Sequence, residues 1–346
     1  KDLGLESGLV IDLNTEIAYF PSKTVGLSNE NYMYCEDGWY ETRTDITMLK
    51  VNAYLNNKKQ TIKGDSIYFE QKTKYGEAWS NVILFDSIQN IILSGNFCKL
   101  NNQEGYSFLT DKALAEMIDQ NDTLFLHADT IKMTFDTAQT ARFIFAYHHC
   151  FFYREDLQGY TDSLTYSVVD SIIFMNRNPV IWAEENQLKA DTITIFMKNQ
   201  QFDKILMNGF AFISNKIDDV RFNQIKGKNM TGYLKNNDLY KIDVEGNAES
   251  LYFIEENNKQ LIGVNKTESS FMTLLLENNN FSTITVSGSP KAIMYPWDKM
   301  TLEEKILKNF IWLSDFRPNS YQDLFILHDN LVDGKISFIK DKKRNK

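Results

Sequence analysis

Four short stretches of the chain spell nearly the same thing: "KGDSIYFEQ" from Lys63, "HADTIKMTF" from His127, "YTDSLTYSV" from Tyr160 and "KADTITIFM" from Lys189. Aligned on Asp65, Asp129, Asp162 and Asp191, each aspartate is followed by Ser or Thr. Apolar residues come second and fourth after the aspartate: Ile67 and Phe69, Ile131 and Met133, Leu164 and Tyr166, Ile193 and Ile195. The residues between them (Tyr68, Lys132, Thr165, Thr194) are mostly polar, so each copy reads as a strand with one apolar face. The Asp-Ser/Thr pair can bond nearby backbone groups and predicts a corner just before the strand. The first interval between aspartates is roughly twice the others, as in a repeat array with one degenerate copy.

A second element interleaves with the first: "IILSGNF", "ILMNGFA", "IDVEGNA" and "ITVSGSP". Its glycines are Gly95, Gly209, Gly246 and Gly288, preceded by Ile91 and Leu93, Ile205 and Met207, Ile242 and Val244, and Ile284 and Val286. This predicts a strand that ends at a glycine, where the backbone needs positive φ or a close approach. None of these glycines stands in a dinucleotide or phosphate-binding motif. With turns rich in Asn, Asp and Gly and an aromatic content of 13%, the chain is expected to be all-β. The expected architecture is an elongated, solenoid-like stack of short strands rather than a closed globule.

Two segments break the pattern. "TDKALAEMIDQ" (Thr110 to Gln120) predicts a short helix, and "TLEEKILKNF" predicts another, with Thr301 and Glu304 as a capping box and Leu302, Ile306, Leu307 and Phe310 largely on one side. The apolar, aromatic stretch that follows, "IWLSDFRPNSYQDLFIL", is expected to cap one end of the array. The domain reading is a repeated β-stack over 1–296, in which two sub-blocks meeting near 110–122 remain an open alternative, and a helix-containing C-terminal cap over 297–346.

Several function classes are disfavoured. The net charge is −9 and no Lys/Arg run precedes the tail "KDKKRNK", which argues against nucleic acid. The three cysteines, Cys35, Cys98 and Cys150, are far apart and form no CxxC, so they read as small buried hydrophobes. His148-His149-Cys150 is the one cluster of soft ligands, but neighbours on a strand point to opposite faces, so the reading is structural and no metal or cofactor is expected. His127 and Asp129 stand at strand spacing without a Ser or Cys motif, which leaves no triad. Glu184-Glu185 sits in a turn-like context and reads as a solvated pair, not as opposed glycosidase carboxylates. No catalytic residue is assigned, and the chain is not expected to be an enzyme. No run of 18 apolar residues occurs, so no helix is expected to span a bilayer. The chain opens on Lys1, so its start says nothing about compartment.

The repeats resemble the OstA-like, or LptA-like, family of periplasmic lipopolysaccharide-transport proteins. The resemblance rests on "GDSIYF", "ADTIKM", "TDSLTY" and "ADTITIF", on "ILMNGFAF" and "IDVEGNA", and on the connected unit "NPVIWAEENQLKADTITIF"; it runs from about Tyr32 to Pro296. Length, Asn-rich turns and "DFRPNSYQDLF" are similar to the long Bacteroidetes-type members. The resemblance implies a β-jellyroll or β-taco of stacked antiparallel strands around an apolar trough, lined by the paired aliphatic and aromatic positions named above. It implies passage of lipopolysaccharide acyl chains across the periplasm of a Gram-negative envelope, edge-strand pairing with other transport components, and head-to-tail self-association. The alternative is an envelope β-solenoid that packs its apolar faces against one another and carries no lipid.

Overall fold

The computed structural model describes residues 4–5, 9–28, 31–57, 60–87, 90–118, 122–137, 140–198, 201–235, 238–255, 261–277, 280–301 and 303–336. The basic tail falls outside them. The chain forms two compact units, Lys1–Arg154 together with Ser320–Lys346, and Glu155–Asn319.

The first unit contains β1 (Gly4–Leu5), β2 (Val10–Asp12), β3 (Ile17–Phe20), β4 (Thr24–Leu27), β5 (Asn31–Cys35), β6 (Asp37–Glu41), β7 (Ile46–Asn57), β8 (Gln60–Glu70), β9 (Tyr75–Asp86), β10 (Ile91–Asn101), β11 (Tyr106–Ile118), β12 (Thr123–Phe135) and β13 (Ala141–Arg154). The second contains β14 (Leu157–Ser167), β15 (Ile172–Asn176), β16 (Val180–Ala183), β17 (Asn186–Lys189), β18 (Thr192–Lys198), β19 (Gln201–Lys216), β20 (Phe222–Lys235), β21 (Asp238–Glu255), β22 (Leu261–Glu277), β23 (Asn280–Ser287) and β24 (Lys291–Tyr295). One α-helix, α1 (Asp323–Val332), belongs to the first unit. The protein is thus all-β, and among the described residues its ladders are antiparallel.

Sequence reasoning anticipated short strands. Many are instead long, up to 18 residues in β21, and bend in the middle. At each bend the ladder slips: between Lys63 and Ser66 in β8, His127 and Thr130 in β12, Asn208 and Ala211 in β19, and Glu245 and Ala248 in β21. A bulge there turns the strand without ending it. Each long strand therefore contributes one half to each of two leaves of a folded-over sheet. The predicted corner is real, but it lies mid-strand. Likewise Gly95, Gly209 and Gly246 sit inside β10, β19 and β21 rather than ending them, while Gly288 does follow the last residue of β23.

The aspartates meet a common kind of partner at the bends. Asn81 Nδ2 donates to Asp65 at 3.3 Å, His149 Nδ1 lies 3.1 Å from Asp129 Oδ2, and Arg177 Nη1 donates to Asp162 at 3.2 Å. The Asp191 amide donates to the Gly209 carbonyl at 2.9 Å. Asn81, His149, Arg177 and Gly209 all have left-handed backbones, with φ of 54°, 51°, 62° and 73°. The motif is one half of a corner whose other half is a left-handed residue later in the chain. At Gly209 the backbone is left-handed and a Cβ would crowd the Asp191 side chain, so glycine is favoured.

Among the described residues neither expected helix forms; Leu302 of the second lies outside them. Thr110 to Ile118 is the second half of β11, laddered to β10 and β12 on either side, and residues 119–120 lie outside the described residues. Helix propensity there yields to burial: Ala113, Leu114 and Ala115 are all buried between covered faces. Thr301 and Glu304 do form the reciprocal cap, with the Thr301 amide donating to Glu304 Oε2 at 2.8 Å and the Glu304 amide to Thr301 Oγ1 at 3.3 Å. The described residues beyond it make turns rather than a helix, because their apolar side chains pack on the sheet as an extended strap.

Candidate functional site

The ladder register places the sequence-predicted positions in rows. In the second unit Leu164, Met175, Ile193, Met207, Met230, Val244, Met272 and Val286 pair successively across eight strands. The adjacent inward row runs through Tyr166, Ile173, Ile195, Ile205, Gly232, Ile242, Leu274 and Ile284. All ten candidates of this unit therefore lie in two neighbouring rows on one face. Ile193, Met207, Ile242 and Val244 are at most 1% exposed. Ile284 and Val286, on β23, are only half-buried. Among the described residues β23 pairs with β22 alone, and so does β24. The rows thus run from a closed middle to an open edge.

The ring beneath them closes on itself. β14 serves both leaves, pairing with β15 and β16; β19 does the same, pairing with β18 and β17. β15 pairs with β18 and β16 with β17, which completes six strands around the interior.

In the first unit Ile67 and Ile131 share the row Leu49, Ile67, Ala78, Cys98, Leu109, Ile131 and Ala146, no member of which exceeds 3% exposure. Phe69 and Met133 lie in the next inward row, with Phe69 half-buried. Ile91 and Leu93 lie across the bend on the other leaf, where Leu93 joins Leu84, Ala115, Leu126 and Phe152.

On that leaf both faces are buried, so period-two alternation fails at Ala113–Ala115, Leu126–Ala128 and Cys150–Phe152. In the first unit the outer face is covered by α1. Tyr321 stacks on Phe125 with ring centres 4.7 Å apart, Phe325 meets His127 at 4.3 Å, and Leu324 is fully buried. In the second unit the cover is the strap leading up to residue 319. Met300 and Leu307 cluster there with Phe212, Leu251, Phe253 and Val264.

The strap is registered by glutamines. Gln158, Trp182, Gln187, Ser214, Gln224 and Leu251 form one outward row across the leaf. Gln224 accepts from the Leu307 amide at 2.8 Å and donates to the Lys305 carbonyl at 3.2 Å. Gln187 accepts from Leu313 at 2.8 Å and donates to Ile311 at 2.7 Å, while Trp182 Nε1 donates to the same Gln187 oxygen at 3.1 Å. Gln158 accepts from Arg317 Nε at 2.8 Å, and Arg317 Nη1 reaches the Glu184 carbonyl at 2.8 Å. Glu184 therefore offers its backbone to the strap. Sequence reasoning missed these glutamines: in "LQGYTDS", "NQLK" and "FNQIKGKN" each stands among other polar residues, and nothing in the sequence sets it apart.

The bend of β12 and β13 gathers titratable groups. Asp129 lies between His149 Nδ1 (3.1 Å) and His328 Nε2 (2.5 Å). His127, buried beside them, contacts the His328 ring at 4.5 Å and bonds the Ala113 carbonyl through Nδ1 at 2.7 Å. Burial pulls the His127 pKa down to about 4, so the ring is neutral and Nδ1 carries the proton. The His148 and His149 rings meet edge to face with centres 6.4 Å apart, and His149, with its left-handed backbone, finds its partners in Asp129 and the C-terminal helix.

A shallow depression on the first unit is lined by Tyr32, Tyr34, Glu36, Asn52, Tyr54 and Lys63. Among the described residues no helix is long and apolar enough to cross a membrane.

No family model matches the chain, and no curated protein matches it. Among solved structures it is similar to LptH, the LptA-homologous periplasmic component of the lipopolysaccharide transport device of Pseudomonas aeruginosa. The identity is 12% and the TM-score 0.29, over 34% of this chain and 82% of that one.

Proposed function

We propose that this protein is a non-enzymatic lipid carrier of the Gram-negative periplasm that holds the acyl chains of lipopolysaccharide, or a related lipid, between its leaves. The observation that carries this reading is the pair of apolar rows spanning eight strands and surfacing at Ile284 and Val286 on an unpaired edge. The OstA-like repeat motifs point the same way. Each methylene removed from water is worth about 0.8 kcal/mol, so a fourteen-carbon chain needs a dry surface worth on the order of 10 kcal/mol. Four of the eight residues in one row are methionines, whose unbranched side chains repack around irregular guests. The leaves are joined through their bends, so they can part along the far margin without breaking a ladder. Among the described residues β23 and β24 pair only with β22, and edges left open in this way suit strand addition by another transport component or a second copy.

The test is a photoreactive residue placed at Val286 and, separately, at Ile193 in the native envelope. Lipid adducts at both positions are the expected result. With folded protein present, no adduct at either would favour the envelope stack that packs its own interior and carries no lipid.

A further inference from the structure

We propose that Asp129, His149 and His328 form a binding site for one divalent transition-metal ion of the zinc class, and that the ion fastens α1 to the first unit. The chain has only four histidines, and all four gather at this one bend. His148 and His149 are neighbours on β13, His149 and His328 rings are 5.7 Å apart, and His127 and His328 rings 4.5 Å apart. Three separate stretches of chain supply the ligand atoms. Asp129 Oδ, His149 Nδ1 and His328 Nε2 all lie within 4.8 Å of one another, so one ion can reach all three with small side-chain movements.

Two imidazoles and a carboxylate suit a borderline ion, with metal–ligand distances of about 2.0–2.2 Å, and leave a fourth position for water or a ligand. The surroundings support the ligands. The other ring nitrogen of His328 faces Asp329 Oδ1 at 3.4 Å, the carboxylate-behind-histidine arrangement that orients metal ligands. His149 is held in a left-handed backbone, φ 51°, a conformation that costs free energy and aims its ring at Asp129. His127 packs against the His328 ring and is itself held by the Ala113 carbonyl through Nδ1, which buttresses the site. Asp129 and His149 remain about one-third exposed, which gives an ion a way in.

The experiment uses the full chain, stripped with a chelator and titrated with Zn2+ alone by calorimetry, and with Co2+ by visible absorption. One ion per chain is expected, with the intense d–d bands of a four-coordinate cobalt site. His328→Asn and Asp129→Asn are each expected to weaken binding about 100-fold or more, by analogy with the large losses that even indirect damage to metal sites causes. Zn2+ is also expected to slow proteolysis after α1 in the wild type and not in His328→Asn. Absence of stoichiometric binding to the wild type would overturn the site, as would unchanged affinity in both variants. The cobalt spectrum needs only the wild-type protein, so a variant that fails to fold leaves the test intact: an octahedral, weakly absorbing Co2+ would also overturn it.

Discussion

Each unit buries a second face of its sheet, and the two do so with different materials. In the first unit the cover is a helix, which satisfies its own backbone and therefore attaches through a few side chains: Tyr321, Leu324, Phe325 and His328. In the second the cover is an extended strap that bonds itself only at isolated turns, such as the Phe310 amide to the Leu307 carbonyl and the Phe316 amide to the Leu313 carbonyl, and its other buried groups need partners from the sheet. There the strands lend amides: Gln187 and Gln224 bond the strap's backbone, and Gln158 bonds the Arg317 side chain. The strand spacing sets the fit. Gln158, Gln187 and Gln224 are two ladder steps apart, roughly 10 Å, and they meet the strap near residues 317, 313 and 307. A helix held at one end by charged and aromatic groups can let go as a unit. A strap held by buried amides comes off only with the loss of several hydrogen bonds.

The largest expected effect follows from that difference. Gln187→Ala leaves the Leu313 amide, the Ile311 carbonyl and Trp182 Nε1 without their buried partner. At about 1–3 kcal/mol for each unsatisfied group, with some relief from relaxation, the second unit loses about 3–5 kcal/mol. Urea denaturation followed by tryptophan fluorescence reads this through Trp182 and Trp312. A loss under about 1 kcal/mol would mean that the strap is not held by its glutamines. Leu324→Ala probes the other cover. Removing a fully buried leucine costs about 2–4 kcal/mol, but here the loss should fall on helix docking. Hydrogen exchange is expected to speed up in α1 and in the leaf it covers, around Leu126 and Phe151, while the inner row at Ile131 stays protected. Equal deprotection of both would show that α1 is integral to the unit.

Much of this plan was legible in the sequence. The Asp-Ser/Thr motif marked the bends, and period-two alternation put ten apolar residues of the second unit into two real rows. What the motif hides is its other half. Nothing next to Asp129 points to His149, and nothing near Asp191 points to Gly209, because the left-handed partner belongs to a later strand. The Thr110 to Gln120 segment misled because "ALAEM" is apolar at both parities. That pattern marks a strand buried on two faces as well as a short helix, and local propensity does not separate them. The same two-sided apolar runs recur at "CFF" (Cys150 to Phe152) and "VIWA", and together they signal that something must lie over the sheet. Which segment supplies the cover is a tertiary fact: His328 sits far along the chain from Asp129, and single-sequence spacing is silent about such a meeting.

The smallest effect separates the units by pH. All three cysteines lie in the first unit and are buried; the second has none. Burial pushes the Cys98 thiol up to about 12 and, with help from Asp37, the Cys35 thiol up to about 11, from an ordinary value of 9.0. The folded unit therefore holds these protons at a pH where the unfolded chain has released them. Their contribution to stability is complete below pH about 9 and declines as pH rises from there toward 11 and 12. Cys98→Ala removes the larger share of that slope, so above pH 9 the difference in stability between wild type and variant should shrink steadily, while below pH 9 it stays constant. Thiolate is also scarce in the folded state, and at pH 8 a disulfide reagent should label the native protein at least about 100-fold more slowly than the unfolded chain. Because no thiol reports on the second unit, Gln187→Ala should leave this labelling rate unchanged even as it loosens the strap. A rate that rises with Gln187→Ala would mean that the two covers do not act independently.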